Sequence, residues 1–375
     1  IYVGSHTHFS EKQNRAIDRF CATYDAIVIC DHTSGYYGKY KLLPTLVQLQ
    51  SDITSPFPPL DLMVHIGEIS AASFNDTIPA KEVWRVSEDG ELRDPFKKLT
   101  TVFQMSEEIF FLHYGKDGCN RHVLIDECRE LFGEIYEQIP ELPFCNIWTA
   151  MQLSSRLPKG ALFHMGVSNT RRCWNMFQLP ESVESACNVG CCGIDGCVST
   201  LVGASLVNPD RLCYVVVGDL TFFYDLNSLG NHHIGTNLRV MLVNNGRGTE
   251  FRLGIHHCNV FGDDADKYMA AAGHFGNKSP LLVKHYAEDL GFHYLSATTK
   301  EEFMTALSNF TNPQLSDHSM ILEVFTDSKD ESEALYLMSH IQSDAKGMVR
   351  SKLKDAVRNV AGEKGINAIK KILKK

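Results

Sequence analysis

The sequence predicts an α/β protein built from two doubly wound parallel-sheet domains and a basic helical C-terminal tail. Short β-branched runs alternate with amphipathic segments along most of the chain, which is typical of β-α-β units and parallel sheets. A length of 375 residues with 44% hydrophobic side chains is enough to bury a full core in each domain. Residue 1 is Ile rather than Met, so we expect the sequence to be a piece of a longer chain.

The first domain is predicted over residues 1–115 and is followed by a connector over residues 116–144. Its first helix should begin at Ser10, because a serine caps the free N–H groups of a first turn. The expected helices cover residues 10–24 and 42–49 and, in the connector, 123–138. The expected strands cover residues 26–30, 62–66 and 83–86.

The second domain is predicted over residues 145–340 from a new series of alternating segments. Its strands are rich in Val, Ile and Leu, which is typical of strands buried on both faces of a parallel sheet. The expected strands cover residues 161–165, 212–217, 238–243 and 320–325. The expected helices cover residues 197–207, 222–229, 284–290 and 300–310.

The charge is distributed unevenly along the chain. The net charge is −9, yet the tail over residues 341–375 holds ten Lys and Arg against three acidic residues. The tail therefore carries +7, and the remainder, at −16, is not expected to bind nucleic acid. Apolar residues at near-helical spacing in the tail favour a solvated C-terminal helix, with docking on an anionic membrane surface as the alternative.

The cysteine pattern predicts a cytoplasmic protein with reduced thiols. The chain has twelve cysteines and no Cys-x-x-Cys pair. The densest group, at 187, 191, 192 and 197, lacks the spacing of a zinc finger. The sequence also contains no apolar run of about 18 residues that could cross a membrane.

Two predicted strands of the second domain end in residues suited to a metal and a phosphate. One runs into Gly218 and Asp219, and the next into Asn244 and Asn245. The spacing is about one helix plus one strand, so both should lie at adjacent carboxyl ends of the sheet, where ligands bind. Carboxylate and amide oxygens suit Mg²⁺, and the N–H groups of a helix starting near Thr221 suit a phosphate. Ordinary turns with a helix cap are the alternative.

These motifs resemble those of the thiamine diphosphate-dependent enzymes, in which Gly-Asp-Gly is followed one helix and one strand later by Asn-Asn. Leu220 stands where the signature has its third Gly. Residues 218–229 and the segment Asn-Val-Gly-Cys-Cys-Gly-Ile-Asp-Gly over 188–196 are similar to the 2-succinyl-5-enolpyruvyl-6-hydroxy-3-cyclohexene-1-carboxylate synthases of menaquinone biosynthesis. Residues 83–95 resemble the end of their central domain. The resemblance thus implies a central domain and a diphosphate-binding domain only.

The resemblance also implies roles for single residues. Mg²⁺ would be held by Asp219, the Asn245 side chain and the Arg247 carbonyl. Thiamine diphosphate would contact Ser168, Ile194, Gly218, Leu220 and Thr221. The substrate would contact Arg172 and Phe251. No residue of this chain is expected to be catalytic, because the glutamate that activates the cofactor belongs to a separate pyrimidine-binding domain in the family. From the residues alone, Ile194 is equally well a core residue, and Arg172 is favoured as a solvated helix residue.

Two departures from the family concern the substrate. Val189 stands where the family has an arginine that binds a substrate carboxylate, and Glu250 stands where it has an apolar residue. One lost positive charge and one added negative charge should weaken the binding of a dicarboxylate such as 2-oxoglutarate.

The main hypothesis is a fragment of a thiamine diphosphate- and Mg²⁺-dependent enzyme that decarboxylates a 2-oxo acid and transfers the product to an acceptor. We expect the fragment to be inactive alone and to need a pyrimidine-binding domain from its own or another chain, within a homodimer or tetramer. Two alternatives stay open. One is a different thiamine diphosphate enzyme acting on a monocarboxylate such as pyruvate, and the other is a non-catalytic assembly or regulatory subunit of the same fold.

Overall fold

The computed structural model describes residues 1–6, 8–53, 57–68, 78–190, 193–254, 256–264, 276 and 278–343, without the side chains of His257 and Asp263. The strands in this part of the chain form two six-stranded sheets, and all the strands in each sheet are parallel. Helices flank both sheets, so the predicted doubly wound α/β class is confirmed. The tail from residue 344 onward, Cys191 and Cys192 lie outside the described residues.

The first sheet has the strand order β3-β2-β1-β4-β5-β6. Its strands are β1 (Tyr2–Val3), β2 (Val28–Cys30), β3 (Lys41–Leu42), β4 (Leu60–Ile66), β5 (Ala80–Ser87) and β6 (Leu99–Gln104). The helices in this half are α1 (Glu11–Tyr24), α2 (Thr45–Leu49), α3 (Glu107–Tyr114) and α4 (Val123–Glu137). Helix α1 begins as predicted: the Ser10 hydroxyl accepts the Gln13 N–H at 3.2 Å, and the Gln13 side chain accepts the Ser10 N–H at 2.9 Å.

The helix predicted over residues 42–49 is wrong in its first part. Leu42 lies in β3, where it pairs with Ile29 of β2, and the helix begins only at Thr45. Pro44 explains the break, because a proline disfavours helical backbone in the residue before it. The apolar residues of this segment are thus divided between a sheet edge and a short helix.

The second sheet has the strand order β11-β12-β10-β9-β7-β8. Its strands are β7 (Leu162–Met165), β8 (Glu184–Cys187), β9 (Cys213–Gly218), β10 (Leu238–Asn244), β11 (His293–Ala297) and β12 (Met320–Phe325). The helices are α5 (Asn146–Leu153), α6 (Asn169–Trp174), α7 (Cys197–Val207), α8 (Asp219–Tyr224), α9 (Leu282–Asp289), α10 (Lys300–Phe310) and α11 (Ser328–Ser339). The helix predicted over residues 222–229 is instead α8, which begins earlier, followed by a 3-10 helix over Leu226–Gly230.

The two sheets are joined by a buried histidine of the first half. The His32 backbone N–H donates to the Asn175 side chain at 2.9 Å, and its ring nitrogen Nε2 lies 2.9 Å from the Phe177 carbonyl oxygen. The His32 carbonyl accepts the Ser185 hydroxyl at 2.6 Å. Since Asn175 and Phe177 directly follow α6, these bonds hold α6 against the first half of the molecule.

Two further expectations can be compared with the described residues. The ten cysteines described there are all free thiols, and most of them are buried. No helix in the described ranges is long and apolar enough to cross a membrane.

Candidate functional site

The carboxyl ends of the central strands of the second sheet lie at a reversal of strand order, where open α/β sheets form a crevice. From β7 the chain continues to β8 on one side, whereas from β9 it continues to β10 on the other. Ligands in open α/β sheets bind at such a reversal of strand order. Ser168 follows β7, Asp219 follows β9 and Asn245 follows β10. We call the space bounded by these three residues the crevice.

Asp219 joins two of the crevice segments. One carboxylate oxygen accepts the Leu220 N–H at 2.8 Å, and the other accepts the N–H groups of Gly246 at 2.6 Å and Asn245 at 3.2 Å. The side chain is buried, with a residue exposure of 2%. The predicted proximity of the Gly-Asp and Asn-Asn segments is therefore observed.

The oxygen atoms around Asp219 suit a hard divalent cation. The Arg247 backbone N–H donates to the Asn245 side-chain oxygen at 3.4 Å, so this oxygen lies within the turn that follows β10. A carboxylate, an amide oxygen and a backbone carbonyl are the kinds of ligand that Mg²⁺ takes, together with water and phosphate oxygens. No group of three His, Cys, Asp or Glu side chains capable of holding a metal occurs among the described residues. A metal in the crevice would therefore depend on amide and carbonyl oxygens as well as on Asp219.

The loop after β7 has an unusual backbone. Ser168 has φ 60° and ψ −122°, which is a sparsely populated conformation for a residue with a side chain. Such residues cost about 1–3 kcal/mol and often lie at binding sites. The loop is held against β9 by the Gly166 N–H, which donates to the Val216 carbonyl at 2.7 Å. Ser168 itself is exposed, so its polar groups are accessible to a ligand.

The remaining cofactor candidates lie on the elements next to Asp219. Gly218 is the last residue of β9, and Leu220 and Thr221 form the buried first turn of α8. Ile194 is half-buried in the turn before α7. The Asp225 carboxylate at the end of α8 accepts the Ser199 N–H of α7 at 2.6 Å, which ties α7 to α8. Within the described residues, Ile194 takes part in none of the hydrogen bonds that join the Asp219 and Asn245 segments.

The two substrate candidates have partners within the chain. Arg172 donates two hydrogen bonds to the Glu250 carboxylate, at 2.6 and 2.9 Å, in a bidentate ion pair. Burial lowers the pKa of Arg172, but the hydrogen bonds and charge of Glu250 raise it by more, so the net shift is upward. The Phe251 ring packs edge-on against His256, with centroids 5.2 Å apart. Glu250 thus pairs with the Arg172 guanidinium, which the family resemblance assigns to a substrate carboxylate.

The sequence predictions did not include Glu323, a buried carboxyl behind the metal candidates. Its two oxygens accept the Asn244 amide and the Tyr294 hydroxyl, each at 2.7 Å. Burial raises its pKa, and the two hydrogen bonds lower it by less. Asn244 directly precedes Asn245, so this contact fixes the end of β10. The signal in the sequence was a single acidic residue inside an apolar strand, because a buried carboxyl requires hydrogen-bond partners.

The sheets and the crevice define the class of protein: a doubly wound α/β protein with a ligand crevice at the strand-order reversal of its second sheet. No protein-family model matches the chain. The chain is 34% identical over 263 residues to 2-succinyl-5-enolpyruvyl-6-hydroxy-3-cyclohexene-1-carboxylate synthase of Bacteroides fragilis, a match covering 68% of this chain and 45% of that protein. The enzymes of the same name from Phocaeicola vulgatus and Bacteroides thetaiotaomicron are 32% identical over 265 and 259 residues, covering 68% of this chain and 44% of each relative.

The chain is therefore a relative of the 2-succinyl-5-enolpyruvyl-6-hydroxy-3-cyclohexene-1-carboxylate synthases, as the motifs of the sequence indicated. The matched region spans less than half the length of these curated relatives.

Proposed function

We propose that the chain is the central and diphosphate-binding part of a thiamine diphosphate- and Mg²⁺-dependent enzyme that decarboxylates a 2-oxo acid and joins the product to an acceptor. The observation that carries the proposal is Asp219, whose carboxylate reaches across to the Asn245 loop at the strand-order reversal. The similarity to the named synthases supports the same reading. Residues 1–115 are the proposed central domain and residues 145–340 the proposed diphosphate-binding domain.

Each crevice residue has a task in this proposal. Asp219, the Asn245 side chain and the Arg247 carbonyl hold Mg²⁺, while Ser168, Leu220 and Thr221 lie along the diphosphate. Gly218 and Ile194 line the cofactor. When bound, thiamine diphosphate supplies an electron sink for the loss of CO₂. The chain's own residues bind and orient, and the glutamate that activates the cofactor comes from a pyrimidine-binding domain outside this chain.

The assembly follows from the same proposal. A pyrimidine-binding domain of this protein or of a second copy closes the crevice, so the working unit is a homodimer or a tetramer in the cytoplasm. The alternative is a non-catalytic subunit that has the same fold but does not assemble with a pyrimidine-binding domain.

Calorimetric titration of the full-length protein with thiamine diphosphate and Mg²⁺ tests the cofactor proposal. We expect saturable binding that requires both components and is lost in Asp219→Ala. The variant Asp210→Ala, at an exposed turn that precedes β9 at the opposite end of this strand from Asp219, is the matched control and should bind like wild type. No binding, or equal binding by wild type and Asp219→Ala, would contradict the proposal.

A second candidate function is the decarboxylation of a monocarboxylate such as pyruvate. The Arg172–Glu250 pair favours it, because Glu250 neutralises the Arg172 guanidinium. Val189 offers no positive charge to a second substrate carboxylate. Release of CO₂ by the full-length protein, compared between pyruvate and 2-oxoglutarate, separates the two candidates. Faster release from pyruvate supports the monocarboxylate, and faster release from 2-oxoglutarate supports the dicarboxylate reaction of the relatives' type.

A further inference from the structure

A buried carboxyl lies on the first turn of α11, the helix that follows β12. Glu331 has a residue exposure of 1%. Its oxygen Oε1 accepts the Asn146 backbone N–H and the Thr326 hydroxyl, each at 2.9 Å. The second oxygen, Oε2, is also buried and has no hydrogen-bond partner in the described part of the chain. A buried carboxyl with one unsatisfied oxygen is costly, so its position calls for a physical reason.

One side of Glu331 supports the metal candidates. Thr326, which donates its hydroxyl to Glu331, also donates its backbone N–H to the Asn244 carbonyl at 3.1 Å. Asn244 is the last residue of β10, and Asn245 follows it. The Glu331 carboxyl is therefore connected through one residue to the end of the strand that presents the Asn245 loop.

The other side of Glu331 supports α6. Asn146, whose N–H it accepts, receives the Trp174 indole N–H on its side-chain oxygen at 3.3 Å. Trp174 is the last residue of α6 and is fully buried. The side chain of Asn169, the first residue of α6, also interacts with the Glu331 carboxyl and lowers its pKa. Both ends of α6, the helix that follows Ser168, are thus connected to Glu331.

The electrostatic surroundings leave Glu331 able to change charge near neutrality. Burial, with a smaller contribution from the neighbouring Asp330, raises its pKa to about 7 against the lowering effect of its hydrogen bonds. The other titratable groups around it are the thiols of Cys145 and Cys173, whose own pKa values burial also raises. These thiols therefore stay neutral near pH 7, and Glu331 is the group of this cluster that titrates there.

We propose that Glu331 is a positioning residue that sets the Ser168 loop and the Asn245 loop at their working separation across the crevice. In its ionised form, the carboxylate attracts the Asn169 side-chain N–H group and so anchors α6. A proton taken up from solvent onto Oε2 removes this charge and weakens the attraction. That the ligand of the crevice is a diphosphate with Mg²⁺ rests on the proposed function, but the link between Glu331 and α6 does not.

The link is tested by ¹⁹F NMR of the full-length protein labelled with 5-fluorotryptophan, with the Trp174 resonance assigned through Trp174→Phe. We expect this resonance to shift with pH with a midpoint near 7 in wild type and to be independent of pH in Glu331→Gln. Glu333→Gln, at an exposed position of the same helix, is the matched control and should titrate like wild type. An unchanged titration in Glu331→Gln would overturn the proposal.

The consequence for the crevice is tested by calorimetry with thiamine diphosphate and Mg²⁺ between pH 6 and 8.5. Because the ionised form anchors α6, affinity should be highest above pH 7 and fall by about tenfold per pH unit at most below it. Glu331→Gln should bind with the same affinity across this range. Asn169→Ala, which removes the proposed donor without altering the buried carboxyl, should also abolish the pH dependence. If wild type binds no cofactor, the proposed function fails, and the NMR titration still decides the role of Glu331.

Discussion

Two carboxylates at the crevice contact different partners. Asp219 is oriented by the backbone N–H groups of Leu220, Asn245 and Gly246, whereas Glu250 pairs with the guanidinium of Arg172. Backbone donors orient the Asp219 oxygens toward the loop that would hold a cation. The ion pair with Glu250 neutralises the positive charge of Arg172. Under the proposed function, Asp219 therefore bears on the cofactor and Glu250 on the choice of substrate.

Replacing Glu250 by Gln should release Arg172 for an external carboxylate. Charge-assisted bidentate bonds contribute about 1.5–3 kcal/mol, so we expect the affinity for 2-oxoglutarate to rise by roughly tenfold or more, with little change for pyruvate. Competition binding to the full-length protein with its cofactor measures both constants. Glu301→Gln, at an exposed residue of α10, is the control. Equal affinities in Glu250→Gln and wild type would show that Arg172 does not face the substrate.

At the scale of elements, α6 connects the crevice to the first sheet. It begins after the strained Ser168, carries Arg172 and ends at Trp174. Beyond it, Asn175 accepts the backbone N–H of His32 in the first half of the molecule. Arg171 of α6 lies 3.7 Å from the Asp31 carboxylate of that half. A shift of α6 would therefore disturb both the crevice and the junction between the two sheets.

Loss of the Asn175 side chain should weaken this junction. Asn175→Ala leaves a buried N–H without its acceptor, which costs about 1–3 kcal/mol of unfolding free energy. Urea unfolding followed by circular dichroism measures the change. The exposed Asn227→Ala is a matched control that we expect to stay within about 0.5 kcal/mol of wild type. A similar result for both variants would mean that the His32 contact adds nothing to stability.

The elements that could be predicted from the sequence are those with a strong local pattern. Helices over 197–207 and 300–310 were predicted with the observed bounds. The ends of the four predicted strands of the second sheet differ from the observed ends by at most one residue. β8 and β11 were missed because their side chains are largely not buried, and β1 because it has only two residues.

The candidate site divides in the same way. The proximity of Asp219 and Asn245 could be predicted because topology alone brings the ends of adjacent parallel strands together. The pairing of Arg172 with Glu250 could not, since 78 residues separate them and the acid lies in a 3-10 helix without any periodic signal. Glu331 could not either, because only the packing of α11 against α5 and the end of β12 buries its carboxyl.

At the scale of the whole molecule, three buried histidines make the fold sensitive to acid. Burial lowers the pKa values of His32, His65 and His164 to about 4. Arg85 lowers that of His65 further, and so does Lys41 for His32. Each ring is neutral in the folded chain and takes up a proton on unfolding. The unfolded state thus binds more protons at moderately acid pH.

Through these three histidines, the unfolding free energy of the chain should fall as the pH is lowered from about 6.5 to 4, and Glu331, whose pKa is raised, offsets part of this loss. Since each histidine has a folded-state pKa below its unfolded value, its contribution is complete above pH 6.5 and decreases toward pH 4, by up to about 3 kcal/mol. His32→Gln keeps a donor for the Phe177 carbonyl and should flatten this dependence by one histidine's share. Urea unfolding at several pH values measures it, with the exposed His318→Gln as control. A slope in His32→Gln equal to that of wild type would contradict the assignment.

The central claim is that the crevice holds a divalent cation bound to a diphosphate. Crystals of the full-length protein grown with thiamine diphosphate and Mn²⁺ in place of Mg²⁺ test it through the anomalous scattering of manganese. We expect one anomalous peak within coordinating distance of the oxygens of Asp219, Asn245 and the Arg247 carbonyl, with the diphosphate beside Ser168 and Thr221. A cofactor bound with its metal at any other place in the molecule would contradict it.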